Sequence, residues 1–241
     1  MKKIVMLLLA FYSLTAVSQE VLLKFNYQKG DVYLLKLEMN QNLGIMGGID
    51  MSAEMKMDIK DVKASEITAE SKIQKMQVDV LQSTKTISYG TEMKEEGLDD
   101  SQKKLKAQFD PMMKALVTQI FNRQGKTLST KVVPQILGME SFGQRAEYPI
   151  APVKVGSTWN VEVSDNTAGV IKMIYTVSEI NKGKVLATIT GTASSLIGSE
   201  IKGNIIIDVA SGNPDITNVL ISTEVQGSKI TVGTKIISTK I

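Results

Sequence analysis

Residues 49–60 read IDMSAEMKMDIK and alternate apolar and polar side chains without a break. Successive side chains of a β-strand point to opposite faces, so this alternation predicts a long strand with one buried and one solvated face. Similar alternation occurs at residues 33–39, 171–177, 205–209 and 219–225. Between Ile67 and Val80 the apolar positions change from odd to even numbers, which predicts a β-bulge or a sharp bend near Gln74.

Turn signals separate the alternating segments. Glycine-containing turns are predicted at residues 44–48, 181–183, 212–215 and 226–228. About eleven strands can be counted, mostly joined by short connections, and this arrangement is typical of an antiparallel meander. Because several strands exceed the usual five or six residues, we predict a mainly β (α+β) fold built on a large curled antiparallel sheet or half-barrel.

The segment from residue 100 to residue 125 has helical periodicity instead. Its apolar residues fall on one helical face and are Leu105, Phe109, Met112, Met113, Leu116 and Ile120. We predict a helical pair packed on one face of the sheet, with Asp110 as N-cap and Pro111 as first residue of the second helix. Gly125 is expected to end that helix.

The first eighteen residues resemble an export signal. Two lysines precede an apolar stretch from Ile4 to Thr15, and small residues end the segment before Gln19. We therefore expect cleavage between Ser18 and Gln19 and a soluble protein that is periplasmic or secreted.

Residues 19–241 are predicted to form a single β-rich domain. A glycine turn leads an aromatic residue into a strand twice, at residues 29–33 and at residues 155–159. This echo leaves open a division into two related halves. Their bounds would be 19–98 and 147–241, joined by a helical segment at 99–125 and a strand or loop at 126–146.

Composition excludes several classes of function. The 241 residues include no histidine and no cysteine, which removes Ser-His-Asp triads, thiol nucleophiles, ordinary zinc sites and disulfides. After residue 18 there are 26 basic and 25 acidic residues, so the charge does not indicate a nucleic-acid partner. No later segment is apolar for long enough to predict a transmembrane helix. We expect no nucleic-acid partner, no transmembrane segment and no cofactor.

The remaining catalytic candidates are carboxylates. Glu95-Glu96 and Asp99-Asp100 form two adjacent pairs, and a glycosidase needs only two carboxyl groups at a suitable separation. Both pairs lie beside the start of the predicted helical segment, where acidic residues are stabilised by the helix dipole. We favour this structural interpretation and expect a protein that is not an enzyme.

Methionine is the residue type that stands out. Eleven of the 13 methionines follow residue 18, and ten of them lie between Met39 and Met139. Methionine is flexible and polarisable, so surfaces rich in it accommodate ligands of variable shape. We predict an apolar concavity under the helices that binds a lipid or an acyl chain. The candidate ligand-binding residues are Met39, Met51, Met55, Met57, Met112, Met113 and Leu116.

Two other roles stay open for these methionines. They could fill a solid core, as methionine often does. The protein would then be a cell-envelope structural or protein-interaction module with an exposed apolar patch or sheet edge. The spacing of Met51, Met55 and Met57 also permits copper(I) ligation by thioethers, although no histidine or cysteine supports it. Neither the identity of a ligand nor the oligomeric state follows from the sequence.

Two segments resemble a known group of proteins. Residues 29–33 (KGDVY) and residues 149–159 (PIAPVKVGSTW) are similar to an uncharacterised exported β-rich family of Bacteroidota. The resemblance implies an exported β-rich protein and transfers no catalytic residue. In outline, the predicted fold also resembles the periplasmic lipoprotein carriers, which are half-barrels with helices on one face. This chain opens with a strand where those carriers open with a helix.

Overall fold

A computed structural model describes residues 19–82, 84–136, 139, 145–165, 169–196, 198–225 and 227–241. The predicted export signal at residues 1–18, and part of the predicted strand or loop at 126–146, lie outside the described residues. The strands are β1 Val32–Asn42, β2 Gly48–Val62, β3 Glu66–Leu81, β4 Thr86–Gly90, β5 Leu116–Asn122, β6 Thr127–Val133, β7 Thr158–Asp165, β8 Gly169–Asn181, β9 Lys184–Ala193, β10 Glu200–Asp208, β11 Pro214–Val225 and β12 Ser228–Lys240. Helix α1 spans Asp100–Lys114, and 3₁₀ turns occur at Gly44–Met46 and Glu95–Gly97.

The twelve strands form one antiparallel sheet that curls without closing. The strand order is β6-β5-β3-β2-β1-β12-β11-β10-β9-β8-β7, and β4 pairs with β3 beside this path. The first and last strands therefore meet at the centre of the sheet, in a register that runs from Tyr33–Lys240 to Asn42–Thr231. The predicted curled antiparallel sheet is confirmed, with twelve strands instead of about eleven.

The predicted irregularity in β3 is a β-bulge. The pairing of β3 with β2 shifts between Ile73 and Lys75 and skips Gln74. An inserted residue reverses the alternation of side chains along a strand. The inward positions consequently change from odd to even numbers, and both Ile73 and Met76 are buried.

The helical prediction is correct at its beginning. Asp99 is the N-cap of α1, and its carboxylate accepts a hydrogen bond from the Gln102 backbone N–H. The Gln102 side chain accepts from the Asp99 N–H in return, which completes a capping box. These reciprocal bonds satisfy backbone donors that the first helical turn leaves without partners.

The helical prediction is wrong at its end. Helix α1 continues through Pro111 to Lys114, so Asp110 is no N-cap, and residues 116–122 form β5. Among the described residues there is thus one α-helix of several turns where we predicted a pair. Leu116 and Ile120 misled the prediction because positions four residues apart share a face on a helix and also on a strand.

The inner face of the curled sheet carries two clusters of buried apolar side chains. We call the larger one the base cluster; it includes Leu23, Phe25, Tyr27, Tyr33, Met57, Ile59, Phe121, Tyr148, Trp159, Tyr175, Ile189 and Ile207. The second, the helix cluster, consists of Ala53, Ile73, Met76, Val78, Ala115, Val117 and Met139. Helix α1 covers the helix cluster through Phe109, Met112 and Met113.

An extended N-terminal segment, residues 21–27, runs through the base cluster. Its odd-numbered side chains are at most 7% exposed. The Phe25 N–H donates to the Arg123 carbonyl at 2.7 Å in the β5–β6 turn, and the Asn26 N–H donates to the Ser211 carbonyl at 2.8 Å in the β10–β11 turn. The segment therefore joins the two arms of the sheet and fills one end of the curl.

Candidate ligand-binding trough

The middle of the inner face is apolar but only half-buried. Apart from the buried Thr223, the inward side chains of β1, β11 and β12 above the base cluster keep partial exposure, in contrast to the buried alternate residues of β3 and β9. The antiparallel register places Met39 between Met51 and Thr234, and Thr234 lies opposite Val219. We call this surface the trough. Its apolar floor comprises Leu37, Met39, Met51, Val219, Ile221, Val232 and Ile236.

The trough has a wall on each side. On one side α1 packs Met112 and Met113 against the helix cluster, next to Met51 and Leu37. On the other side Met173 of β8 lies three strands from Ile221 in the same row of the register and packs against the base cluster. The base cluster lies at the lower end, so apolar side chains border the trough on three sides.

The opposite end of the trough, which we call the mouth, is bordered by hairpin turns. Ile45 and Met46 in the β1–β2 turn are 89% and 67% exposed, and Val225 at the end of β11 is 44% exposed. A Cβ atom on Gly44 would lie 3.4 Å from the Ser228 side chain, which shows that the β1–β2 and β11–β12 turns are neighbours. The mouth thus presents apolar side chains to solvent.

Four of the predicted ligand-binding methionines meet at the trough. Met51, Met112 and Met113 pack around the helix cluster, and Met39 lies directly opposite Met51 in the register. All four are half-buried. A flexible thioether wall therefore stands beside the apolar floor.

The other three predicted residues lie elsewhere. Met55 is half-buried on the inner face of β2, opposite Leu35, below the floor residues. Met57 is 2% exposed within the base cluster. Leu116 is 37% exposed and alternates in β5 with the buried Val117, so it lies on the outer face.

A half-buried arginine, Arg145, packs against the base cluster. The guanidinium carbon of Arg145 is 4.1 Å from the centroid of the Phe121 ring and 5.9 Å from that of Phe25. Its Nη2 donates to the Met57 Sδ at 3.0 Å, while its Nε is inaccessible to solvent and has no hydrogen-bond partner. Burial lowers the pKa of Arg145, but an arginine side chain stays protonated in proteins. A cation whose Nε is inaccessible to solvent therefore lies against the base cluster.

A separate polar network beside the base cluster connects the start of β9 with the β10–β11 turn. The Lys184 ammonium donates to Asp208 at 2.9 Å and to Asp215 at 2.6 Å. Burial raises the pKa of Asp208, but hydrogen bonds from Lys184 and Ser211 outweigh that effect and lower the pKa to about 2. Because these charges are paired with one another, we assign the network a structural role.

The carboxylate pairs considered in the sequence lie at the start of the helix. Asp99 caps α1, and Glu95 and Glu96 form the preceding 3₁₀ turn. Within the described part of the chain, no group of three or more His, Cys, Asp or Glu side chains is arranged to hold a metal ion. The same residues include no helix long and apolar enough to cross a membrane.

Sequence reasoning missed three parts of the site. The alternation of β11 was recognised, but the floor residues of β11 and β12 were not assigned to the site, because the pairing of β12 with β1 is not visible in local pattern. The alternation from Val21 to Tyr27 could have indicated the buried N-terminal segment. Arg145 carries no local signal, since its neighbours Phe25, Met57 and Phe121 come from distant segments.

Comparison with known proteins gives a likeness of fold. No protein-family model matches the chain, and no curated protein matches its sequence significantly. Among solved structures, the chain is similar to a structure of lipovitellin that concerns lipid–protein interactions in that protein, with a TM-score of 0.56 and 12% identity. The alignment covers 90% of this chain and 25% of the lipovitellin chain. At this identity, the match shows that the curled sheet is shared with a part of lipovitellin.

Proposed function

We propose that the protein is a non-catalytic binder or carrier of an apolar ligand, a lipid or an acyl chain, held in the trough. The observation that carries the proposal is the half-buried apolar floor of β1, β11 and β12. Apolar surface in contact with water is unfavourable, and large contiguous apolar patches on soluble proteins mark ligand or partner sites.

The dimensions and chemistry of the trough fit this role. From Val232 to Ile236 the floor extends over four steps of β12, or about 13 Å at the rise of a β-strand. The wall formed by Met112 and Met113 can adapt to ligands of different shape. The likeness to lipovitellin supports the proposal, because the lipovitellin structure concerns lipid–protein interactions.

We also propose that the protein works in the periplasm or outside the cell, as an exported protein of the Bacteroidota type. This part of the proposal depends on the sequence of residues 1–18. Mass spectrometry of the N-terminal peptide of the protein purified from its native envelope should give a chain that begins at Gln19, as glutamine or as pyroglutamate. An intact N-terminus at Met1 would contradict export by cleavage.

Native purification followed by solvent extraction and mass spectrometry tests the ligand itself. We expect a lipid or fatty acid to co-purify, and added fatty acid or phospholipid to raise the melting temperature of the stripped protein. The absence of both effects would refute the proposal.

Neighbouring residues of β11 provide a matched pair of variants. Ile221 faces the trough, whereas Leu220 is 46% exposed on the outer face. Burying an isoleucine side chain against an apolar ligand is worth about 1.5–3 kcal/mol, so Ile221→Asn should weaken fatty-acid binding by roughly tenfold or more. Leu220→Asn should leave the affinity unchanged. Equal losses in the two variants would place the ligand elsewhere.

A second candidate function is a protein-interaction module of the cell envelope. An outer row of half-buried apolar side chains favours it, and its members lie in register across four strands: Leu186, Ile206, Ile216 and Ile237. Replacing Ile206 and Ile216 with Asn should abolish capture of an envelope protein under this function while lipid binding stays intact. Loss of lipid binding in the same double variant would argue against this second function.

A further inference from the structure

We infer that the ligand of the trough is an anionic amphiphile whose head group, a carboxylate or a phosphate, pairs with Arg145. This inference rests on the proposed function and adds the chemical class of the ligand. Three observations carry it: the unpaired charge of Arg145, the geometry of its Nε–Nη2 edge, and its position beside Met57, where the inner face of β2 meets the base cluster.

The charge of Arg145 is not neutralised by any described acidic residue. The groups that act on it electrostatically are Tyr27 and Tyr148, and burial opposes its charged form. The ring of Phe121 stabilises the cation in part, through its quadrupole. Arg145 is half-buried, and a charge partly removed from solvent without a counter-charge is unfavourable, so an anion that reaches it gains a favourable interaction.

The free edge of the guanidinium has the geometry of an anion site. Nε has no hydrogen-bond partner, and Nη2, on the same edge, donates to the thioether sulfur of Met57. A thioether is a weak acceptor that an oxygen atom can readily replace. Nε and Nη2 together form the fork that binds two oxygen atoms of a carboxylate or phosphate in parallel hydrogen bonds.

The position of Arg145 fits a head group at the base and an apolar chain toward the mouth. Met57, which contacts Arg145, is followed along the inner face of β2 by Met55, Ala53 and Met51. Met51 lies about 20 Å from Met57 at the rise of a strand. This line leads from the cation to the trough floor and ends near the exposed turn at Ile45.

Titration of the stripped full-length mature protein with ligands of one chain length tests the inference. The probes are hexadecanoate, hexadecyl phosphate, the methyl ester of hexadecanoic acid and hexadecanol, measured by calorimetry and by the shift in melting temperature. The wild type should bind an anionic probe at least about tenfold more tightly than the two neutral probes, since hydrogen bonds between charged groups are roughly twice as strong as those between neutral groups. Tighter binding of hexadecyl phosphate would assign a phosphate head group, and tighter binding of hexadecanoate a carboxylate.

Variants of Arg145 separate the head group from the apolar chain. Arg145→Met should remove the preference for the anionic probe and leave the affinity for the methyl ester unchanged. Arg145→Lys keeps the charge but loses the fork, so it should retain only part of the preference. Lys229→Met, at the mouth, is the control for general electrostatic attraction and should retain the full preference.

The outcomes distinguish this inference from the proposed function. Equal affinity of the wild type for hexadecanoate, hexadecyl phosphate and the methyl ester would overturn the role of Arg145 and leave an apolar-ligand binder. A preference for anions that survives in Arg145→Met would overturn it as well. Failure of all four probes to bind would overturn both proposals. If Arg145→Met does not fold, the wild-type comparison and Arg145→Lys still decide the question.

Discussion

The base cluster and the trough lie on the same face of the same sheet, but only the base cluster is filled. Phe25, Ile59 and Phe121 in the base are at most 1% exposed, whereas Met39 and Ile221 in the trough are half-buried. The difference comes from chain outside the sheet, because the N-terminal segment crosses the base and joins its two arms. Alternation along a strand therefore defines the inward face, and the connecting segments define where that face becomes a core or a binding surface.

Removal of a base side chain should have the largest effect on stability. The Phe25 ring stacks on Tyr148 with 5.0 Å between centroids and meets Phe121 edge-on at 5.6 Å. Phe25→Ala should lower the free energy of unfolding by about 3–5 kcal/mol, because it leaves a cavity in a packed core. Met39→Ala in the trough should cost less than about 1 kcal/mol, since solvent or ligand already contacts that position.

Urea denaturation of the ligand-free protein measures both values. Similar losses for Phe25→Ala and Met39→Ala would mean that the trough is as tightly packed as the base, and the distinction between the two regions would fail. If Met39→Ala lowers the free energy of unfolding strongly only when lipid is added, the contrast between the filled base and the ligand-binding trough becomes stronger.

Two glycines with nearly the same backbone conformation give the second comparison. Gly125 has φ +94° and Gly30 has φ +91°. A Cβ atom on Gly125 would lie 2.4 Å from the Ala146 carbonyl oxygen and 2.7 Å from the Phe25 ring, whereas one on Gly30 would meet no atom within 4 Å. Gly125→Ala should therefore destabilise the protein by about 2 kcal/mol more than Gly30→Ala, the cost of overpacking the base.

Thermal or urea unfolding of the two alanine variants, measured side by side, cancels the shared cost of a positive φ. Equal destabilisation by Gly125→Ala and Gly30→Ala would show that the Phe25 ring can move to accommodate the added methyl group. The base would then be less rigid than its burial indicates.

Acidification should destabilise the fold at the base cluster, because it protonates Asp208. Hydrogen bonds lower its pKa in the folded state to about 2, below the value of about 3.9 in an unfolded chain. A carboxyl group with a lowered folded-state pKa stabilises the protein above about pH 4, and this contribution disappears as the pH falls toward 2. Asp208 also accepts hydrogen bonds from Ser211, whose carbonyl receives the Asn26 N–H of the N-terminal segment.

Urea denaturation between pH 7 and pH 2 can isolate this contribution. The wild type should lose up to about 2 kcal/mol through Asp208 over the acid range, and Asp208→Asn should lack that part of the pH dependence. Parallel pH profiles for the two proteins would contradict the assignment. Above pH 4 the wild type and Asp208→Asn should bind lipid in the trough with the same affinity.

Strand identity was largely predictable from sequence because period-two alternation is a local property. The bulge at Gln74 was predictable for the same reason, since a change of parity in the apolar positions has few other causes. The end of α1 was not, because Leu116 and Ile120 satisfy both periodicities. A run of β-branched and aromatic residues in β5, with Val117 and Phe121 buried, decided in favour of a strand.

The candidate site was predictable only in part. Met39, Met51, Met112 and Met113 lie at the trough because each follows the local pattern of its own strand or helix. The rest of the floor depends on the pairing of the first strand with the last, about 200 residues apart in sequence, which no local pattern encodes. Arg145 could not be predicted for the same reason, because the residues around it come from segments distant in sequence.

The smallest expected effect concerns the methionines themselves. Met113→Leu, at the wall of the trough, and Met55→Leu, below the floor, conserve volume and apolarity, so each should cost less than about 1.5 kcal/mol in the free energy of unfolding. Leucine is branched and stiffer than methionine. In Met113→Leu the wall should therefore tolerate a narrower range of fatty-acid chain lengths, while the affinity for the best-fitting chain changes little. An unchanged chain-length profile, measured by calorimetry against Met55→Leu as the matched control, would show that the methionines fill space beside the trough without shaping it.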